Sequence, residues 1–189
     1  MRSDNPWKVL SSKIMYENPW MRIREDKVIT PLGKEGIYGL MESTNSVMIA
    51  VLNEKNELYL IRTFSYPVGS WNWELPGGNS DGQDPIEASK RELEEETGIR
   101  ANTWAKLGET RVCNGFMTER MSTYLTKDLS FSGKKEVADE QIDTAQFFSM
   151  EEVDAMVERG EINDGQSITG IHLIQKWLQK RSINDHLED

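Results

Sequence analysis

The sequence predicts an α+β fold, an α/β/α sandwich on a mixed β-sheet with a small antiparallel β region at the N-terminus. Three observations carry this. Alternating β-like segments fill the first 43 residues, the continuous apolar run Val47 to Leu52 suits a strand buried on both faces, and helix start and stop signals bracket one internal and two C-terminal segments. The chain accordingly divides into an N-terminal β-rich region, 1–43, and a larger domain, 44–189.

The elements follow in order. Trp7 to Tyr16, Trp20 to Thr30 and Gly36 to Glu42 read as a meander, punctuated by Asn18-Pro19 and Pro31-Leu32-Gly33-Lys34. Val47 to Leu52 then turns through Asn53-Glu54-Lys55-Asn56 into Leu58 to Ile61, which predicts a hairpin. Trp71 to Gly78 leads into a polar loop. The helix after it spans Pro85 to Thr97, with Asp84 as N-cap, Pro85 at the first helical position and Gly98 just past the end. Strands are expected at Trp104 to Val112, Met121 to Thr126 and Ile142 to Phe148. Two helices close the chain, one capped by Ser149 and burying Val153, Met156 and Val157, the other running from Ser167 to Arg181 and burying Ile168, Ile171, Ile174 and Leu178.

Composition narrows the function. With 22 Lys+Arg against 32 Asp+Glu the net charge is −10, which argues against nucleic acid and against an anionic membrane surface as partners. One cysteine, Cys113, excludes an intrachain disulfide and a thiolate-rich metal site, and is expected as a small buried residue. With only His172 and His186 present, any bound metal must be held by carboxylates. No signal peptide and no long apolar run is visible, so a cytoplasmic location is expected.

The helix from Pro85 is unusual. Glu92, Glu95 and Glu96, at i, i+3 and i+4, place three carboxylates on one face near the helix C-terminus, where like charges and the macrodipole both disfavour them. Such a face suits a hard divalent cation, although a solvated acidic helix would look the same from the helix alone. The surrounding residues decide between the two. Gly77, followed by Arg91-Glu92-Leu93-Glu94-Glu95-Glu96-Thr97-Gly98-Ile99 and preceded by Trp73-Glu74-Leu75-Pro76, resembles the signature of the Nudix hydrolases. One position departs from that pattern: counted back from Arg91, Gln83 stands at the first signature glutamate, whereas alignment from Gly78 needs a one-residue deletion before Asp84, and either way that first acid is altered. Glutamine keeps the shape and hydrogen bonding but not the charge, so altered metal affinity rather than lost activity is expected.

The resemblance extends over most of the chain. Asn114 to Arg120, Glu140 to Asp143 and Gly160 to Asp164 are similar to the ADP-ribose and nucleotide-sugar pyrophosphatases, with Asn114 in place of a usual proline and Ser65 in place of a second arginine. It implies a Nudix-like fold, Mg²⁺ or Mn²⁺ as cofactor, a nucleoside diphosphate substrate, and an N-terminal region that helps build a homodimer. It also implies Glu92, Glu95, Glu96 and the Gly77 carbonyl as metal ligands, with Arg91 orienting the glutamates. Among the acids Glu136, Asp139 and Glu140, Glu140 is the expected general base, and Glu119 a competing acid or substrate contact. Arg62, Arg120 and Trp20 are candidate substrate contacts, while Trp71, Trp73, Tyr66 and Phe64 are aromatic enough to stack a base but serve equally as core. The function implied is hydrolysis of the pyrophosphate of ADP-ribose or another nucleotide sugar. A dinucleotide or nucleoside triphosphate pyrophosphohydrolase, or a non-catalytic sensor, remains open.

Overall fold

The structure, a computed structural model, describes residues 5–132 and 142–185, the last five of these as backbone alone. It forms two compact units: one comprises residues up to 44 together with 111–120, the other 45–110 and the residues from 121 onward.

In the first unit β1 (Lys8–Glu17), β2 (Arg22–Ile29) and β3 (Glu35–Glu42) form the expected antiparallel meander in the order β1-β2-β3. Register is held across the sheet by charge as well as by the ladder: Arg24 on β2 pairs with Asp26 two residues along and with Glu42 on β3. The segment 111–120 closes onto the end of β3 through Met41 N–H to the Phe116 carbonyl (2.9 Å) and the Tyr38 hydroxyl to the Gly115 carbonyl (2.7 Å). Cys113 lies in this segment and is exposed, because the excursion has no core of its own; the expectation of a buried thiol is corrected.

The second unit is built around β4 (Ser46–Val51), every residue of which is buried. The continuous apolar run is explained by layers on both sides. Val47, Ile49 and Val51 face α1 (Pro85–Thr97) and pack with Ala88, Leu93 and Ile99. On the opposite face Met48 meets α3 (Gly165–Asp185) at Gly170, where an added Cβ would come within 2.6 Å of Leu75 Cδ1. The sheet between the helices has the order β7-β4-β9-β8, with β7 Gly77–Asn79, β8 Ile99–Arg111 and β9 Arg120–Phe131. It is mixed, because β4 pairs parallel with β9 and antiparallel with β7.

Three expectations are corrected here. The run after β4 does not continue as a paired hairpin: β5 (Leu58–Ser65) joins a separate antiparallel sheet, β10-β5-β6, with β6 at Ser70–Glu74 and β10 at Ile142–Phe148, and the turn between β4 and β5 carries just an isolated antiparallel bridge from Leu52, one residue past β4, to Leu58. β8 begins at Ile99, directly after the left-handed Gly98 cap, rather than at Trp104. On α3, which begins at Gly165, Ile168 is exposed whereas Ile171 and Ile174 are buried, since the inward face of the helix runs through Ser167, Ile171 and Ile174 and Ile168 lies about 100° round from it. α2 (Met150–Glu158) starts where its cap signal predicts, with the Ser149 hydroxyl accepting from Glu152 N–H, and it buries Val153 and Met156. Among the described residues no helix is long and apolar enough to cross a membrane.

Candidate active site

Two anchors aim the strand before α1. Ser167, buried on α3, accepts the Leu75 N–H at 3.1 Å, and the Pro76 carbonyl accepts from Ile49 on β4 at 2.8 Å. Gly77 and Gly78 can then pair with Met48 and Val47 at close range. Close approach is why both are glycine: a Cβ on Gly77 would land on the Val47 carbonyl, and one on Gly78 would sit 2.7 Å from the Glu92 carboxyl.

α1 itself is fixed at both ends by its caps. Asp84 Oδ1 accepts the Ile86 N–H at 3.0 Å, and Gly98, at φ 70°, donates to the Glu94 carbonyl at 2.8 Å. The buried stripe of this helix is Ala88, Ser89, Glu92, Leu93, Glu96 and Thr97. Glu92 is 5% exposed and Glu96 6%, so two of the three carboxylates are drawn into the protein rather than presented to water. A buried carboxylate is costly unless it is hydrogen-bonded or paired, and both carboxylates are hydrogen-bonded, Glu92 to a charged partner. Glu96 Oε2 accepts the Gly77 N–H at 2.9 Å, and Glu92 Oε1 accepts from Arg91 Nη2 at 2.8 Å.

Arg91 is the hub. Its Nη1 donates to Glu95 Oε2 at 2.8 Å, its Nη2 also donates to the Asn79 carbonyl at 2.8 Å and approaches Asp81 Oδ2 at 3.4 Å, and its Nε donates to Gln83 Oε1 at 3.1 Å. Partial burial alone would draw the Arg91 pKa down, but the Glu92 charge and the Glu95 hydrogen bond outweigh it and hold the pKa above the ordinary arginine value. The guanidinium is therefore charged at neutral pH. The expected residues Gly77, Arg91, Glu92, Glu95 and Glu96 thus come together within one unit. Asn79, Asp81 and Gln83 join them as partners of Arg91, and of these three the sequence singles out only Gln83, at the first signature glutamate.

The other candidates lie elsewhere. Arg62 on β5 is held by Asp143 of β10 at 2.7 Å, with its guanidinium 5.3 Å from the Trp71 ring centroid. Trp71 also meets Phe64 edge-on, and Trp73 meets Phe148 in the same way, whereas Tyr66 is exposed at the end of the hairpin. Glu119, Arg120 and Trp20 belong to the other unit. Glu119 is buried and its Oε2 accepts from the Ser43 hydroxyl at 3.4 Å, Arg120 is exposed at the start of β9, and Trp20 is 81% exposed in the β1–β2 turn. Trp20, Asn18, Arg22, Ser43 and Thr44 line an open cavity of about 260 Å³ there. Glu136, Asp139 and Glu140 lie outside the described residues.

As the side chains stand, the carboxylates of α1 are gathered by Arg91 and by the Gly77 N–H, and among the described residues no three acidic, imidazole or thiolate groups surround a common point. The donor chemistry nonetheless fits a hard divalent cation. Glu92, Glu95 and Glu96 offer carboxylate oxygens within two helical turns, and Arg91 engages one oxygen of Glu92 and one of Glu95.

Residues 42–169 match the family model described as the NUDIX domain, and residues 7–41 match that of the nucleoside diphosphate sugar hydrolase N-terminal domain. The chain is 28% identical to an ADP-ribose pyrophosphatase of Mycobacterium tuberculosis, over 89% of this chain and 83% of the relative. It is 22% identical to an ADP-ribose pyrophosphatase of Bacillus subtilis, over 89% and 92%. The fold matches the crystal structure of an ADP compounds hydrolase with a TM-score of 0.81 at 19% identity, covering 93% of this chain and 95% of the other.

Proposed function

Because this chain belongs to the Nudix family and is a pyrophosphatase of that class, we propose that it hydrolyses the pyrophosphate of a nucleoside diphosphate linked to a sugar, with ADP-ribose as the leading substrate. Water adds its oxygen to one phosphorus, the bridging P–O bond breaks, and nucleoside monophosphate and sugar phosphate are released. The observation that carries this reading is the buried glutamate face of α1, with Glu96 bound to the Gly77 N–H and Glu92 and Glu95 gripped by Arg91. A nucleotide-sugar substrate is further supported by the N-terminal match at residues 7–41 and by the two ADP-ribose pyrophosphatase relatives.

Glu92, Glu95 and Glu96, with the Gly77 carbonyl, would hold Mg²⁺ or Mn²⁺. When bound, the cation supplies charge neutralisation for the diphosphate and acidification of water. The chain itself does the rest. Arg91 orients Glu92 and Glu95, Glu140 accepts the proton of the attacking water, and Glu119 is the competing candidate for an acid or substrate contact. Arg62 reaches phosphate by exchanging its Asp143 partner, Arg120 offers a second cation, and Trp20 offers an exposed indole face to a nucleobase.

The test is a panel of ADP-ribose, other sugar nucleotides, dinucleotides and nucleoside triphosphates with Mg²⁺ or Mn²⁺, run beside Glu95→Gln. Nucleoside monophosphate released from diphosphate-linked compounds, and lost in the variant, is expected. Preferential turnover of triphosphates would overturn the substrate assignment, and binding without turnover would make the protein a sensor.

A homodimer through the N-terminal unit belongs to the same proposal. All ten residues of β1 are exposed, among them Val9, Leu10, Ile14, Met15 and Tyr16, and an apolar edge strand of that length invites pairing. Sedimentation at micromolar concentration should show a species of twice 21.7 kDa. A 21.7 kDa species alone would rule the dimer out.

A further inference from the structure

Gln83 is the only uncharged side chain on Arg91 among the described residues, and its place is built rather than incidental. Ser80, Asp81, Gly82 and Gln83 form a tight turn closed by Gln83 N–H to the Ser80 carbonyl at 2.8 Å. Asp81 at φ 49° and Gly82 at φ 77° both occupy the left-handed region, which a turn of this kind requires. At one end Ser80 is buried and donates its N–H to the Asn45 carbonyl at 2.8 Å, and at the other Asp84 is committed to capping α1. Between an anchored turn and a capped helix, the Gln83 backbone has little freedom. Its amide oxygen meets Arg91 Nε, the nitrogen that neither Glu92, Glu95 nor Asn79 contacts.

A guanidinium held at Nε is fixed in its plane, so Nη1 and Nη2 are aimed. The geometry points to Gln83 as a positioning residue that, through Arg91, sets the orientation of Glu92 and Glu95 and thereby the affinity of α1 for a divalent cation. This rests on the metal-dependent reading above. Two properties of the side chain act separately. Its acceptor oxygen orients the guanidinium, while its neutrality leaves Glu92 and Glu95 as the guanidinium's closest strong counter-charges, with Asp81 more distant at 3.4 Å.

Substitution separates the two. Gln83→Ala removes the acceptor, and Gln83→Glu keeps it at nearly the same shape while adding a negative charge beside the cation-binding face. Direct Mn²⁺ binding to each purified variant, read as free Mn²⁺ by electron paramagnetic resonance, should give a Kd raised about fivefold in Gln83→Ala, the scale of one lost hydrogen bond to a charged, exposed group. The Kd should fall about threefold in Gln83→Glu, a screened single-charge effect. The Mn²⁺ concentration for half-maximal turnover should follow the same order, with kcat at saturating Mn²⁺ moving less than Kd, and melting temperatures within a few degrees would show the fold intact.

A Gln83→Ala Kd within twofold of the parent overturns the inference, as does a Gln83→Glu variant that binds Mn²⁺ as weakly as Gln83→Ala. If the parent shows no Mn²⁺ binding that Glu96→Gln diminishes, the metal-dependent reading fails and the inference falls with it. Parent binding that Gln83→Ala leaves untouched sinks the inference alone.

Discussion

Glu96→Gln is expected to lower turnover of the preferred diphosphate substrate by about a thousandfold, the scale of several kcal/mol of transition-state stabilisation converted at 1.36 kcal/mol per factor of ten. The substitution isolates charge from structure. Glu96 is nearly buried and its carboxylate accepts the Gly77 N–H at 2.9 Å, a bond that a glutamine oxygen can preserve in the same place. The melting temperature should therefore stay close to that of the parent, while the capacity to hold a divalent cation falls. Steady-state assays across a Mg²⁺ series would read both kcat and the metal dependence. A loss smaller than tenfold at saturating Mg²⁺ would remove Glu96 from the catalytic machinery and leave its burial as a packing feature.

Gly77→Ala should cost about 3 kcal/mol of stability, which for a protein of this size corresponds to a melting temperature lower by roughly 10 °C. The new methyl would collide with the Val47 carbonyl, 3.1 Å from Met48 Cα, and both belong to β4, whose burial on two faces leaves the backbone nowhere to retreat. The neighbouring substitution gives the contrast. In Gly78→Ala the methyl meets the Glu92 carboxyl at 2.7 Å, the mobile end of a side chain that can swing away. Gly78→Ala should thus lose activity more than stability, because Glu92 is pushed out of the grip of Arg91. Thermal denaturation and turnover measured on the pair would reverse the expectation if Gly78→Ala proved the less stable of the two.

Legibility followed the range of the interactions. α1 was readable to the residue, Pro85 to Thr97, since its ends are decided by side chains one to three positions away: Asp84 capping, Pro85 opening, Gly98 closing in the left-handed conformation. The N-terminal meander and the buried strand β4 were likewise written in local patterning. β6 and β7 were not. Gly77-Gly78-Asn79 carries no apolar alternation, and it is a strand only because β4, nearly thirty residues earlier, supplies its partner. The expected hairpin failed for the same reason, because β4 finds β9 and β5 finds β6 and β10, all choices made across the chain rather than through the four-residue turn between them.

The candidate site divides along the same line. The spacing of Glu92, Glu95 and Glu96 with Arg91 was sufficient to mark one helical face and to suggest its chemistry, since the helical repeat converts spacing directly into proximity. The roles of individual groups around it were not accessible that way. A solvated acidic helix and a buried one have the same spacing, and only packing against β4 and β7 shows Glu92 and Glu96 drawn inside and Glu96 bound to a backbone N–H. Gln83 by sequence is a neutral substitute in a charged position; by structure it is the acceptor on Arg91 Nε. The sequence by itself determined the helix, its carboxylate face and the family. Tertiary structure decided which carboxylates are buried and what Arg91 holds, because those depend on strands and turns that meet the helix in space and not along the chain.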